Sequence, residues 1–587
     1  MDERAGKVRR IGCVGGVCRA RGGGHCSKLR EIAFKSLKPM PGFGLPRRSA
    51  GFPVAIVSSP LPTCDKPLRG AYLSVRPTRH SALALAERRT HALIASLALL
   101  VALLMLCFDG TRDGDLYLQM LGGRLVAQHG FMTVDPFPTI AHGELWLNQQ
   151  WLTELTMYQV SLWIGVTGLT IAYAALLAAP LAILLWLCRR KGTAMMVGLT
   201  ALYCPGLWVI VHPRAAGFTL LGFSVIVAAV VWAWLAPTSS PISDRRLRLA
   251  LPGILVLFAL WANLHGGFVA GLFLIGVVTV GLSLDRARGL PVGVSAQRVA
   301  LLGLTGALAA ITVTLSTPLG GAIWSYVLSF SNPAIALASS EWNPTFQNPL
   351  AIAYLVVAAA FAAWLWLRMS APRPIAPLIA TASVLTIAAV ALRNVIFVGP
   401  ALALQIAWSA PDRELRVSRS MMAVALAASA AAALTWFTEV GPARNERPLG
   451  STLLRYVLEH PPRVGHIASY AGIGSYMLWR SPHAPVELDG WLEHFSPAEL
   501  RGTYAVLDGR QPNPTRSVSR LRIGAVIADR HVAVRALEAH GFIARFTTPD
   551  GTYLVRRGDP IRHQAGWTSQ ARRNPSSPEP TITAAEQ

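Results

Sequence analysis

The residues of this 587-residue sequence that could do chemistry are polar side chains standing at the ends of long apolar stretches. The first group follows the apolar run 91–108 and contains Asp113-Gly114-Asp115, then Asp135-Pro136, then Trp146-Leu147-Asn148-Gln149-Gln150-Trp151-Leu152-Thr153-Glu154. A D-x-D pair can bind a divalent cation together with a phosphate, or supply a general base. Asp and Gly also favour turns, so a solvated turn explains the same residues. Asp135-Pro136 reads more simply as a turn or helix start, and Trp146 and Trp151 as interfacial anchors. His212-Pro213-Arg214 offers an arginine at headgroup level, either gripping a lipid phosphate or snorkelling to the interface. Trp261-Ala262-Asn263-Leu264-His265-Gly266-Gly267-Phe268 sets a histidine in a glycine turn. His265 there can meet phosphate or metal, or only backbone. Glu341-Trp342-Asn343-Pro344 and Arg393-Asn394 complete the set. Arg393 stands in a tight turn between apolar spans with no basic neighbours, which favours a functional role.

The elements that must position these groups are membrane spans. Hydrophobic residues make up 52%, charged residues 14%, and mean hydropathy is +0.42. A soluble domain carries about 25% charged residues; a water-soluble enzyme, a coiled coil and a disordered chain are excluded. A span needs about 20 mostly apolar residues. Eleven stretches qualify: 91–108, 169–188, 193–211, 215–236, 249–264, 266–284, 298–316, 350–367, 375–392, 395–411 and 420–437. Residues 1–90 hold 18 Lys and Arg against 5 Asp and Glu, a basic arm expected to be cytoplasmic and disordered. With that arm inside, the even spans end inside, and basic clusters follow each of them: Arg189-Arg190-Lys191, Arg245-Arg246-Leu247-Arg248, Arg286-Ala287-Arg288, Arg368 with Arg373, and Arg413-Glu414-Leu415-Arg416.

The same assignment places 109–168, 317–349 and everything after 438 outside. The candidate groups then share one side: Asp113, Asp115, Glu154, His212, Arg214, His265, Glu341 and Arg393. Ionisable groups at membrane depth are costly, so their collection on one face marks a site assembled from several loops. A pore or transporter would carry polar groups at mid-span, with an internal repeat; no repeat is seen. The tail alternates short apolar runs such as Ala525-Val526-Ile527-Ala528 with helical patterns such as 531–540. It reads as a small α/β domain within 438–557, with Asp489, Trp491, Glu493 and His494 as a polar patch. Residues 558–587 are rich in Pro, Ser, Thr and Gln and read as a disordered tail. The seven cysteines, Cys13, Cys18, Cys26, Cys64, Cys107, Cys188 and Cys204, match no zinc spacing and no disulfide scaffold.

The first outer loop, the Trp261–Phe268 turn, the Glu341-Trp342 loop, the Arg393-Asn394 turn and the tail stretch Gly474-Ser475-Tyr476…Val486-Glu487-Leu488-Asp489-Gly490 carry a resemblance. Over about 91–557 the chain resembles bacterial multi-span proteins similar to the GT-C superfamily of polyprenyl-phosphate-sugar-dependent glycosyltransferases. The resemblance implies an all-α polytopic domain over 91–437 with a small extracytoplasmic α/β domain. It implies a lipid-linked sugar donor, an envelope glycan, lipid or protein acceptor, and no nucleic acid, in the bacterial inner membrane. Asp115 or Asp113 would be the base. Arg393, Arg214, His265 and His212 would hold the donor phosphate. Glu341, Trp342, Glu154 and Trp151 would touch substrate. A divalent cation, Mg or Mn, is the one cofactor left open. Two departures weaken the metal: Tyr117-Leu118-Gln119 stands where relatives place aromatics and a histidine, and His212-Pro213-Arg214 stands where they read Arg-Pro. A transporter or flippase of lipid-linked glycans, and a non-catalytic envelope assembly protein, are the alternatives.

Overall fold

The computed structural model describes residues 10–14, 17–21, 114–235, 245–290, 293–329, 334–369, 372–409, 452–511 and 513–558. Residues 1–76 and 77–587 form two units. In the first, strands β1 (Arg10–Val14) and β2 (Val17–Arg21) pair antiparallel. The rest of the arm expected to be disordered, the spans 91–108 and 420–437, Asp113, and nearly all of the tail 558–587 lie outside the described residues.

Among the described residues of the second unit, seven helices are long and apolar enough to cross a membrane, and two shorter apolar helices, Ala194–Ile210 and Ala376–Val390, accompany them. Together they account for the nine expected spans that are described. Large apolar side chains such as Val256, Leu260, Ile311, Leu315 and Val356 point outward from these helices, as lipid-facing residues do. The chain is a membrane protein.

The helices are α1 (Gly114–His129), α2 (Trp151–Cys188), α3 (Thr193–Tyr203), α4 (Ala216–Ala229), α5 (Arg245–Leu264), α6 (Phe268–Ala287), α7 (Ala296–Ser316), α8 (Ala322–Ser329), α9 (Ile335–Ala338), α10 (Pro349–Leu367), α11 (Ala376–Val390) and α12 (Val398–Ser409). The stretch 109–168 is therefore less of a loop than its sequence suggests. It is helical over α1 and again from Trp151, where α2 runs 38 residues with a break at Gly165. Gly165 has φ 71, a left-handed conformation that glycine adopts without steric cost and other residues resist.

Two buried polar groups tie connections at one end of the bundle. The Asp285 carboxylate accepts the backbone N–H groups of Ile375 and Ala376, both at 2.8 Å, capping the start of α11. Arg298, buried at the start of α7, donates to the Trp234 carbonyl at 3.3 Å. These connections all belong to the basic set in the sequence. The other set of turns converges at the opposite end.

The tail folds as expected for an α/β unit. Helix α13 (Thr452–Glu459) leads to β3 (His466–Ala468), then come α14 (Ala471–Arg480), α15 (Pro497–Leu507), α16 (Thr515–Arg520), β4 (Ile523–Ala528), α17 (His531–Ala539), β5 (Phe542–Thr548) and β6 (Gly551–Arg556). The sheet order is β3-β4-β6-β5; β3 and β4 are parallel, and the other pairs antiparallel. All six residues of β4 are buried, which fits its continuous apolar run. Ser496-Pro497-Ala498-Glu499 forms a reciprocal capping box at α15, with proline in the first turn.

The tail domain and the first loop share one core. Leu118, Leu121, Leu125, Phe137 and Trp146 pack with Leu453, Val457, Ile467, Met477 and Trp491. Phe137 stacks on the Trp491 ring at 5.3 Å, and Trp146 meets it edge-on at 4.8 Å. This burial fixes α1, and with it the side chain at its first turn.

Candidate functional site

Asp115 lies in the first turn of α1, where the helix dipole favours a negative charge. The helix start is held close to the tail domain. A Cβ on Gly114 would fall 2.5 Å from the backbone of Gly472, so only glycine permits this approach. From there Asp115 reaches Arg214, in the turn before α4, at 2.9 Å. The other amino group of Arg214 meets Glu341 at 2.8 Å. The remaining oxygen of Glu341 lies 3.7 Å from Arg393. The Arg393 guanidinium lies over the Trp342 ring at 4.1 Å, a cation–π contact. The Leu392 N–H donates to the Asn343 carbonyl at 3.0 Å, which locks the two turns together.

Carboxylate, arginine, carboxylate and arginine thus alternate along one line, from four separate segments. Asp115 is its most open member, with 41% of its side chain exposed against 18% for Arg214 and 21% for Glu341. His212 is half-buried two residues before Arg214 in the same turn.

His265 sits between α5 and α6. Its Nδ1 lies 3.0 Å from the Gly267 N–H, which donates to it, and 2.7 Å from the Thr219 hydroxyl. An Nδ1 that accepts leaves the ring proton on Nε2, so the neutral ring offers one N–H donor. Burial, with Arg393 and Arg214 nearby, pushes its pKa down to about 3. His265 is therefore uncharged at any physiological pH.

Two expected substrate residues are engaged elsewhere. Glu154 is fully buried and accepts from Asn148 at 2.7 Å, Gln150 at 3.2 Å and the Trp491 indole at 3.4 Å. It joins the first loop to the tail domain. Trp151 donates its indole N–H to Asn263 at 2.9 Å, just before the His265 turn. Both side chains position elements around the line of ion pairs instead of joining it.

Sequence reasoning passed over a second polar centre. Asp135 makes the turn expected of it, accepting the Phe137 N–H at 2.8 Å, but its other oxygen lies 3.3 Å from His494. Both side chains are buried. Asp489, also buried, accepts the Trp491 N–H at 2.9 Å, while its Oδ2 has no hydrogen-bond partner among the described residues. Burial and the nearby Asp135 push the Asp489 pKa up to about 7. Asp135, Asp489 and His494 were each visible in the sequence. Nothing local showed that residues 359 positions apart would meet.

Among the described residues no group of three or more His, Cys, Asp or Glu is placed to hold a metal ion. The described carboxylates of the outer line, Asp115 and Glu341, are both committed to Arg214.

No family model and no curated protein matches the chain. Solved structures similar to it include the archaeal oligosaccharyltransferase AglB from Archaeoglobus fulgidus in complex with an inhibitory peptide and a dolichol-phosphate. It is 12% identical over 74% of this chain and 69% of that one, with a TM-score of 0.45. ArnT from Cupriavidus metallidurans, bound to undecaprenyl phosphate, is 14% identical over 79% of this chain and 98% of that one, with a TM-score of 0.48. The Archaeoglobus fulgidus oligosaccharyltransferase in complex with Zn and sulfate is 12% identical, covering 79% and 73%, at 0.44. All three TM-scores lie below 0.5, too low to carry a function.

Proposed function

We propose that this chain is a membrane glycosyltransferase of the GT-C kind. It moves a sugar from a polyprenyl-phosphate donor to an acceptor of the cell envelope, at the outer face of the bacterial inner membrane. In this reading the basic arm is cytoplasmic, the spans of 91–437 form the membrane domain, and the tail domain is periplasmic. The observation that supports it is the line Asp115–Arg214–Glu341–Arg393 at one end of the helices.

The chemistry follows from the charges. Glu341 stands between two arginines, where a phosphate would compete for both guanidinium groups. The neutral His265 adds an N–H donor that costs no proton. The donor's isoprenoid needs an apolar surface, which the outward faces of the spans supply. When Arg214 turns to the phosphate, Asp115 loses its counter-charge and becomes a stronger base. It then takes the proton of the acceptor hydroxyl. The acceptor oxygen bonds to the anomeric carbon as that carbon's bond to the phosphate oxygen breaks, and the configuration inverts. The departing phosphate keeps the electron pair, held by Arg214 and Arg393.

The test is label transfer from radiolabelled polyprenyl-phosphate sugars to envelope lipids and glycans by the purified full chain. Asp115→Asn is expected to abolish transfer while donor still binds, and Arg214→Ala to weaken donor binding. Binding of donor without transfer by the unmodified protein would refute the enzyme and move the weight to the flippase reading. Full activity of Asp115→Asn would remove Asp115 as the base.

A further inference from the structure

Thr219 is a buried threonine of α4 whose hydroxyl leaves its own helix. Thr170, Thr200, Thr279 and Thr305, in other spans, each donate to the carbonyl four residues back, the common outlet for a threonine inside a helix. Thr219 turns instead to α5 and to the turn that follows it. Its oxygen accepts the Trp261 indole N–H at 3.0 Å, and lies 2.7 Å from His265 Nδ1. The Gly267 N–H already donates to that nitrogen at 3.0 Å, so Nδ1 carries no proton and the hydroxyl is the donor. Trp261 N–H thus donates to Thr219, and Thr219 O–H donates to His265.

Each part of this relay is itself held. The buried Trp261 ring lies in a slot between two helices: a Cβ on Gly222 of α4, or on Gly271 of α6, would fall 2.7 Å from it. The residues just before His265 are tied to α2. The Thr153 hydroxyl donates to the Leu264 carbonyl at 2.6 Å, and the Trp151 indole to Asn263 at 2.9 Å. What remains of His265 is its Nε2–H. Among the described residues this group has no hydrogen-bond partner, and the residue is only half-buried. Arg214 stands five residues before Thr219, a little over one helical turn, so the relay and the line of ion pairs share one end of α4. The charges of Arg393 and Arg214 act on the ring.

We propose that Thr219 and Trp261 are positioning residues of the donor-phosphate subsite: they hold His265 so that Nε2 keeps the ring proton and donates it in a hydrogen bond to a phosphate oxygen. The proposal rests on the glycosyl-transfer reading and deepens its phosphate subsite. A ring with its proton on Nδ1 would turn the lone pair of Nε2 toward the phosphate and repel it. Arg214 and Arg393 supply charge on long side chains with many rotamers. The imidazole, met at Nδ1 by two donors, is set before the phosphate arrives and loses little freedom on binding it. No proton is transferred here. The ring stays neutral before and after the sugar leaves, and the acceptor's proton still passes to Asp115.

The experiment is nitrogen NMR on the full chain in detergent, isotope-labelled at its histidines, with the His265 signals identified by their loss in His265→Gln. Without ligand, Nδ1 should appear as an unprotonated nitrogen and Nε2 as a protonated one. Polyprenyl phosphate carrying no sugar is then titrated in, and should move the Nε2 signal more than that of Nδ1. Thr219→Ser keeps the hydroxyl and should reproduce the ring signature, with affinity within about a factor of two. Thr219→Val keeps the shape without the hydroxyl; it should show signals of the second tautomer and bind polyprenyl phosphate about tenfold more weakly. Trp261→Phe, which frees the hydroxyl to turn away, should weaken binding about threefold. A proton on Nδ1 in the unmodified protein overturns the relay and needs no variant to fold. A ligand that binds but leaves Nε2 unmoved overturns the phosphate contact. Weaker binding by Thr219→Val with an unchanged ring signature would make Thr219 a packing residue and refute its positioning role. The expected signature and binding, with no label transfer by any protein, would keep the positioning and remove the transferase.

Discussion

Asp489 provides the most direct test of how the tail domain is held. Its carboxyl is fully buried, one oxygen lacks a hydrogen-bond partner among the described residues, and the charges of Asp135, His494 and Glu493 act on it. Its pKa moves from 3.8 to about 7. At about 1.4 kcal/mol per pH unit, ionising it in place costs on the order of 4 kcal/mol. The folded state binds this proton more tightly than the unfolded state. Stability is therefore undiminished below about pH 4, and falls as the pH rises toward 7. His494 acts in the same direction. The Asp135 hydrogen bond and the Glu493 and Asp489 charges raise its pKa against the effect of burial. Its contribution is present below its ordinary 6.5 and lost as the pH passes its raised value.

Asp489→Asn keeps the acceptor for the Trp491 N–H, and replaces the unmet oxygen with an amide that can donate to Asp135. Hydrogen exchange of residues 485–495 and of α1, in the detergent-solubilised full chain and corrected for intrinsic rates, reports local opening. The unmodified protein should lose protection as the pH rises from about 4 to 7. At pH 8 the asparagine variant should be more protected, by up to roughly a thousandfold for 4 kcal/mol. At pH 4 and below the two should differ little. A variant whose protection falls with pH as steeply as the original would refute the assignment of the penalty to Asp489.

Three further outcomes follow from the same geometry. Arg214→Lys keeps a charge but cannot span Asp115 and Glu341 with two amino groups; transfer should fall on the order of a hundredfold, read as kcat/KM, with thermal stability changed by less than about 1 kcal/mol. Gly114→Ala forces a methyl to within 2.5 Å of the Gly472 backbone; tilting of α1 should cost about 1–3 kcal/mol of docking stability and break the Asp115–Arg214 pair, read as faster proteolysis between the domains. Asp285→Ala leaves two buried backbone N–H groups at α11 unmet; a loss of about 2–4 kcal/mol is expected, seen as a lower melting midpoint in detergent, while Asp285→Asn should recover part of it.

The spans were legible because each is a local property: about twenty apolar residues in a row need no knowledge of the rest of the chain. The grouping of the turns rests on a related local property, since lysine and arginine clusters alternate with turns that lack them. In the structure Asp285 ties the connection after α6 to that before α11. That Asp115, Arg214, Glu341 and Arg393 share an end of the bundle could be read from their order along the chain. Their pairing could not, because 127 residues separate Arg214 from Glu341 and only the packing of helices closes that distance. Glu154 shows the converse. Alone in a polar stretch it reads as a free carboxylate, and three donors, one of them 337 residues away in the tail domain, bury it. The sequence by itself marked the apolar stretches and the polar groups that stand at their ends. Only the tertiary structure decided which of those groups are bound to each other and which are left to meet a ligand. Hydrophobic periodicity acts along the chain, whereas ion pairs and buried hydrogen bonds depend on distances that packing alone sets.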